Sequence, residues 1–260
     1  DPNGIGPEVL IRALHSLHPF NEWAPLIFGD LEIIKEINKV VGASFSYKPI
    51  SNNHDLPIKE NNDSFYQTIE HGTYGGILLS GNLFGFARNP SCMIDAPSQF
   101  DFYSGGGLDV AFLGFGQIDC KGNVNVSKLD GVTVGPGGFI DIAQNARKVV
   151  FCGTFDAKGT KTETGDGTIK LIKPGKIRKF VKAVDQITFS GKQALIQKQE
   201  VIYITERAVF RLNEKGLELI EIAPGIEIVR DIINQMDFKP LITKTLLKMN
   251  AKIFFDEKIK

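Results

Sequence analysis

The sequence has no histidine beyond His71. Its four histidines, His15, His18, His54 and His71, all lie in the first part of the chain. A histidine general base from the C-terminal two thirds is therefore excluded, as is a multi-histidine metal site there. Cysteine is also scarce. Cys92, Cys120 and Cys152 are far apart, odd in number and without a CxxC spacing. They suggest neither a zinc cluster nor a disulfide framework, and a reducing, cytoplasmic setting is the simpler expectation. Charge of one sign is lacking too, because 30 lysines and arginines balance 30 aspartates and glutamates. Nothing electrostatic points to nucleic acid or an anionic membrane. No apolar run approaches the ~20 residues of a membrane-spanning helix, and no signal peptide is visible. The first residue is Asp1 rather than methionine, so the missing leader carries little weight. No glycine cluster is followed by Gly-Lys-Ser/Thr, which excludes a P-loop, and no internal repeat is seen.

What remains is an ordinary globular composition, 42% hydrophobic and 23% charged over 260 residues. That length holds one large domain or two smaller ones. Residues 11–18 and 31–41 read as amphipathic helices, the second with Ile33, Ile34, Ile37, Val40 and Val41 at helical spacing and Gly42 as a stop. Between them Pro25 to Asp30 reads as a short buried strand, giving a βα pattern. A polar stretch over residues 51–64 is the best boundary in the chain. It divides an N-terminal βα segment, 1–62, from a larger unit, 63–260. In the larger unit, strands are expected at Leu108 to Ile118, Lys148 to Phe155, Val201 to Thr205, Val209 to Leu212 and Leu217 to Ile222, with a turn at Gly216. Ile226 to Met236 reads as a helix with Arg230 and Asp231 on its polar face. Lys158 to Gly167 reads as an exposed loop. The strand and helix pattern alone supports an α/β fold.

With histidine removed, chemistry must rest on carboxylates, amides and hydroxyls. The most suggestive stretch is Thr68-Ile69-Glu70-His71-Gly72-Thr73-Tyr74-Gly75-Gly76. It places one carboxylate at a strand end, over a glycine-rich turn open enough for a substrate to approach. Such a carboxylate can act as a nucleophile. His71 faces away from Glu70 on an extended backbone and reads as structural. Three glycine clusters, Gly75-Gly76, Gly105-Gly106-Gly107 and Gly135-Pro136-Gly137-Gly138, leave backbone amides uncovered by Cβ atoms. They fit tight turns, and they also fit cradles for an oxyanion, a phosphate or a carbonyl. In Asn123-Val124-Asn125-Val126-Ser127-Lys128 the polar side chains share one strand face, which suits either a polar ladder or a row that contacts ligand.

From about Ser64 to about Phe255 the sequence resembles the β half of the family I coenzyme A-transferases, the acetate/3-oxoacid type. The resemblance rests on Thr68 to Gly72, on Gln99-Phe100-Asp101-Phe102-Tyr103 with Gly105 to Asp109, and on Gly122 to Ser127. It continues with Gly137-Gly138-Phe139-Ile140-Asp141-Ile142, Ile187 to Gly191, Tyr203 to Arg207 and Glu221 to Gly225, all in the family's order. It implies an open, mostly parallel sheet with flanking helices, preceded here by the short βα segment. It implies Glu70 as the nucleophile and a ping-pong exchange of coenzyme A (CoA) between an acyl-CoA and a small carboxylate through a glutamyl-CoA thioester. The oxyanion donor falls on Gly137 or Gly138, since Pro136 has no N–H. Candidate contacts to CoA are Gly72, Gly75, Gly76, Gly105, Gly106, Gly107, Asn123 and Asn125. CoA is a substrate in this scheme, with no permanently bound cofactor and no metal. The resemblance further implies an α-type half as a partner, in a separate chain or a missing segment, and an oligomer. Asp1-Pro2-Asn3-Gly4-Ile5-Gly6-Pro7-Glu8 and Pro25 to Asp30 instead resemble 4-hydroxythreonine-4-phosphate dehydrogenases. Those enzymes hold a divalent metal through downstream histidines, which this chain lacks, so the NAD-dependent alternative is incomplete. The chain reads as a junction of two families near the polar break, with an inactive truncated or chimeric chain as the remaining alternative.

Overall fold

A computed structural model describes residues 68–79, 83 and 86–255. The expected helices at 11–18 and 31–41, the strand at Pro25 to Asp30, and the division at residue 62 lie outside the described residues. The central feature is a six-stranded sheet whose spatial order follows the chain: β1 (Val110–Leu113), β2 (Lys148–Cys152), β3 (Glu200–Ile204), β4 (Ala208–Asn213), β5 (Gly216–Ile222) and β6 (Leu241–Lys248). β1 pairs parallel with β2, β2 with β3, and β5 with β6, while β3–β4 and β4–β5 are antiparallel. This is the mostly parallel α/β sheet expected from the motifs. The parallel strands are joined by long crossovers that carry helices α2 (Phe139–Asn145) and α3 (Gly191–Ile196), and α1 (Ala96–Ser104) precedes the sheet.

The strand assignments follow from burial. Val149, Val150 and Phe151 of β2 and Val201 to Ile204 of β3 are all buried, the pattern of strands covered on both faces. β4 and β5 close as a tight hairpin, in which Asn213 Oδ1 accepts from the Lys215 amide at 2.9 Å and Gly216 takes φ +117°. The apolar stretch from Leu108 is shorter than expected as a strand. It breaks after Leu113, and Gln117–Ile118 instead pairs with Val124–Asn125.

Two other expectations are corrected. Residues 158–167 are not simply a loop, because Lys161–Gly165 pairs antiparallel with Thr168–Lys173. The turn between them is Asp166-Gly167, both at positive φ, 51° and 72°, the left-handed geometry a two-residue hairpin needs. Residues 226–236 do not form one helix. Ile228–Ile232 is a π-helical turn and Ile233–Gln235 a 3-10 turn. Asp231 does not sit on a polar face. It is buried, accepting from the Glu227 amide at 2.9 Å and from Arg230 Nε at 2.7 Å.

The core is aromatic. Phe151, Phe155, Phe180, Phe189, Tyr203 and Phe210 have no exposed surface. Phe155 and Phe180 have ring centroids 4.6 Å apart, and Phe180 and Phe210 5.0 Å. Each such ring contributes about 1.5–3 kcal/mol by burial. At the β3–β4 turn the fully buried Arg207 donates to Asp156 Oδ2 at 2.8 Å and to Glu206 Oε1 at 2.9 Å. Its guanidinium lies 4.7 Å from the Phe155 ring centroid. Glu206 also accepts from the Phe155 amide at 2.9 Å. Burial raises the Glu206 carboxyl, and Arg207 opposes that shift. The cluster ties the end of β2 to the β3–β4 turn. Removing one partner would leave a buried charge uncompensated, a change that costs about 3–5 kcal/mol.

Glu221 on β5 gives the fold a pH dependence. Burial pushes its carboxyl from an ordinary 4.5 up to about 6, so the folded chain favours the neutral form. That contribution to stability is complete below the unfolded value and is lost as pH rises through the folded value. Glu221→Gln is therefore expected to raise Tm at about pH 7.5 and to give no gain at about pH 4. Thermal melts followed by circular dichroism at the two pH values check this.

Candidate active site

Three elements converge at Glu70. The first is a hairpin in which Thr68–Ile69 pairs with Thr73–Tyr74, so that Glu70 lies at the strand end as expected. Gly72 closes the turn by donating to the Ile69 carbonyl at 2.9 Å, and its own carbonyl accepts from the Ile94 amide at 2.9 Å. The second is α1. Asp95 caps it by accepting from the Ser98 amide at 3.1 Å, which stabilises the first turn. The third is the start of α2, where Phe139 is buried and stacks on Phe151 of β2 at 5.8 Å. That contact anchors Gly138 to the sheet.

The Glu70 carboxylate packs directly over Gly138. A Cβ at position 138 would collide with Glu70 Oε2 and would approach Phe100 Cε1 to 2.7 Å. Gly138 has φ −78° and ψ 2°, a conformation open to any residue. Glycine is needed here for space, not for backbone freedom. The carboxylate is half-buried and makes no hydrogen bond with the described residues. Both of its oxygens therefore stay available. The Gly137 and Gly138 amides make no backbone hydrogen bond among the described residues, and Gly138 lies against the carboxylate.

α1 supplies the wall on the other side. Tyr103 is 2% exposed, and its hydroxyl lies 2.6 Å from Thr68 Oγ1. Burial raises the Tyr103 phenol, Thr68 and Gln99 pull it down, and the charges of Tyr74 and Glu70 push it up. Ser104 Oγ donates to Asp141 Oδ1 at 3.0 Å and joins α1 to α2. These neighbours carried no assigned role in the sequence. The helical i, i+4 spacing of Gln99 and Tyr103 was the available signal.

The remaining candidates separate. Gly75 and Gly76 take φ +64° and +81° in close turns against Ser91 and Arg88. Gly105, Gly106 and Gly107 do not offer open amides. They donate to the carbonyls of Asp101, Tyr103 and Phe102 at 2.8, 3.0 and 2.9 Å and terminate α1. Asn123 is buried, donating to Asp119 Oδ2 at 2.9 Å and accepting from the Gly191 amide at 3.0 Å. Asn125 has no exposed surface. It donates to Gln117 and Lys128 and accepts from the Ser127 and Lys128 amides. These five residues stabilise loops, and their polar atoms are already engaged. His71 is exposed and stacks on Phe86 at 6.0 Å. Among the described residues no group of three or more His, Cys, Asp or Glu is placed to hold a metal. No described helix is long and apolar enough to cross a membrane.

A mostly parallel sheet with flanking helices matches the fold of solved CoA-transferases. Comparison with known proteins agrees. The chain is 48% identical over 194 residues to acetate CoA-transferase YdiF of Escherichia coli O157:H7, covering 75% of this chain and 36% of that protein. It is 47% identical over 195 residues to caffeate CoA-transferase of Acetobacterium woodii, covering 73% of this chain and 37% of the relative. Over these residues the chain is related to the family I coenzyme A-transferases, and it spans just over a third of the length of these relatives. The apoenzyme structure of the E. coli O157:H7 acyl-CoA transferase YdiF superposes with a TM-score of 0.77 at 39% identity, covering all of this chain and 45% of that one. A structure of the same protein described as a thioester complex with CoA gives 0.74 at 38% identity, with 46% of that chain covered. A separate stretch of 61 residues is 30% identical to a Cutibacterium acnes protein bearing the name of a D-threonate 4-phosphate dehydrogenase, covering 24% of this chain and 18% of that protein. No family model matches the chain.

Gly138→Ala tests the packing directly. The new methyl displaces the Glu70 carboxylate without straining the backbone. A shift of about 1 Å at a reacting group costs on the order of 100-fold in rate. Because the methyl also presses on the Phe100 ring, the variant is expected to stay folded with a modestly lower Tm and, in the assembled enzyme, to lose thioester exchange to that extent, as read by calorimetry and a thioester-exchange assay.

Proposed function

We propose that this chain is the β-type part of an acyl-CoA:carboxylate CoA-transferase and that Glu70 is its nucleophile. The carrying observation is the half-buried Glu70 carboxylate, without a hydrogen bond among the described residues and packed over Gly138. The Glu70 carboxylate attacks the thioester carbonyl of an acyl-CoA. The C–S bond breaks, CoA leaves as thiolate, and an acyl-glutamyl anhydride forms. The thiolate then attacks the glutamyl carbonyl, which releases the donor carboxylate and leaves a glutamyl-CoA thioester. The acceptor carboxylate runs these steps in reverse, so the second acid leaves as its CoA thioester.

No ATP enters, because each intermediate keeps the energy of an activated acyl group. A free carboxylate of ordinary pKa near 4.3 is a weak nucleophile, so orientation and charge stabilisation must supply most of the acceleration. The Gly137 or Gly138 amide takes the role of oxyanion donor, a contribution on the order of 100- to 1,000-fold. CoA is consumed and re-formed as substrate and is not a resident cofactor. The acids are short-chain or 3-oxo carboxylates in this reading. The relatives' names span acetate and caffeate, so the acyl group is set by pocket shape rather than by Glu70. The chain's share of its relatives' length supports an α-type half, in a separate chain or an additional segment, that completes the site.

The test is covalent trapping. The chain, with its α-type half, is incubated with acyl-CoA, reduced with borohydride and digested. Mass spectrometry is expected to place the modification on the peptide holding Glu70. A sample that turns over without modifying that peptide would contradict the assignment. Glu70→Asp, which retracts the attacking oxygen by about 1 Å, is expected to lose most of its activity.

A further inference from the structure

We propose that Tyr103, joined to Thr68 and backed by Gln99, is a positioning residue that fixes the orientation of the Glu70 carboxylate for attack. This rests on the reading of Glu70 as nucleophile. Thr68 lies on the short strand Thr68–Ile69, and Glu70 follows at once as the first residue of the turn. Gln99 and Tyr103 are four apart on α1 and share a helix face. That face is turned inward, with Gln99 at 0% and Tyr103 at 2% exposure. The 2.6 Å contact between the Tyr103 hydroxyl and Thr68 Oγ1 fastens the helix to the strand that leads into Glu70. Phe100, on the next face of α1, packs at Gly138 beside the same carboxylate. One helix thus touches the nucleophile's strand, its neighbour and the glycine beneath it.

Gln99 shows that this contact does more than fill space. Its amide is close enough to both the Tyr74 and Tyr103 phenols to lower each of them by hydrogen bonding, although neither Nε2 nor Oε1 meets a strict hydrogen-bond geometry with a described residue. A fully buried amide needs such partners, because burial without one is costly. During the reaction Glu70 exchanges a negative carboxylate for a neutral acyl group, and the field on the Tyr103 phenol changes with it. Gln99 backs the Tyr103 phenol while that field changes, so the helix keeps its hold on the hairpin through both halves of the exchange.

The experiment measures, in the assembled enzyme at saturating acyl-CoA, how fast the CoA adduct appears on the Glu70 peptide. Tyr103→Phe and Thr68→Val each remove one hydroxyl and little else. Each is expected to slow adduct formation at least about tenfold while KM for acyl-CoA stays within about twofold. Thr68→Ser should restore the rate, and the double variant should be no slower than either single one. Adduct formation at the native rate in Tyr103→Phe, or additive losses in the double variant, would overturn the positioning role while leaving Glu70 as nucleophile. If the unmodified enzyme turns over without an adduct on that peptide, the Glu70 reading itself fails and the positioning role falls with it. As a readout independent of turnover, carbon NMR of labelled tyrosine should show the Tyr103 phenol titrating at lower pH in Glu70→Gln. An unchanged titration would contradict the coupling.

Discussion

The arrangement around Glu70 depends on one steric fact: the carboxylate occupies the space a side chain at position 138 would need. The hairpin, α1 and α2 come from separate stretches of chain, and they can meet only because that position is empty. The backbone at Gly138 would accept any residue, so the glycine answers to packing between elements and not to a turn. Phe139 then carries the constraint inward. Its ring stacks on Phe151 of the central strand β2, so the site is referenced to the rigid core.

That core is held at the ends of its strands by charge as well as by aromatic burial. Arg207 has no exposed surface and is neutralised by Asp156 and Glu206. A buried cation with fewer partners would destabilise the chain heavily. A cluster of this kind often contributes little net stability, but it fixes which groups must meet. Here it sets the β3–β4 turn against the end of β2. Glu70 differs in kind. It is half-buried and makes no hydrogen bond among the described residues, whereas Glu206 is held fixed.

The central strands were legible in the sequence because β2 and β3 are continuous apolar runs, and burial on both faces leaves that mark. Glu70 was legible because glycines crowd the turn beside it. The hairpin at Lys161–Lys173 was missed although Asp166-Gly167 is a hairpin signal, since the polar strands around it lack an apolar alternation. The stretch from Ile226 had helical spacing but breaks because the buried Asp231 binds the Glu227 amide and Arg230. Gly105 to Gly107 and the asparagines at 123 and 125 could not be sorted from ligand contacts, because only the fold shows where their hydrogen bonds go. The tie between α1 and the hairpin that holds Glu70 was hidden for a related reason. Thr68 and Tyr103 are 35 residues apart, and no local pattern announces such a contact.

The covalent role of Glu70 shows most directly in the oxygen atom that it exchanges. If its carboxylate carries CoA, the acceptor acid attacks the glutamyl thioester through its own oxygen. That oxygen bridges the resulting anhydride and stays on Glu70 when CoA departs with the acyl group. A single turnover with an acceptor carboxylate labelled in both oxygens with the heavy isotope should therefore deposit one heavy oxygen on the Glu70 side chain, read by mass spectrometry of the peptide that contains it. Turnover that leaves this peptide unlabelled would contradict the covalent role of Glu70.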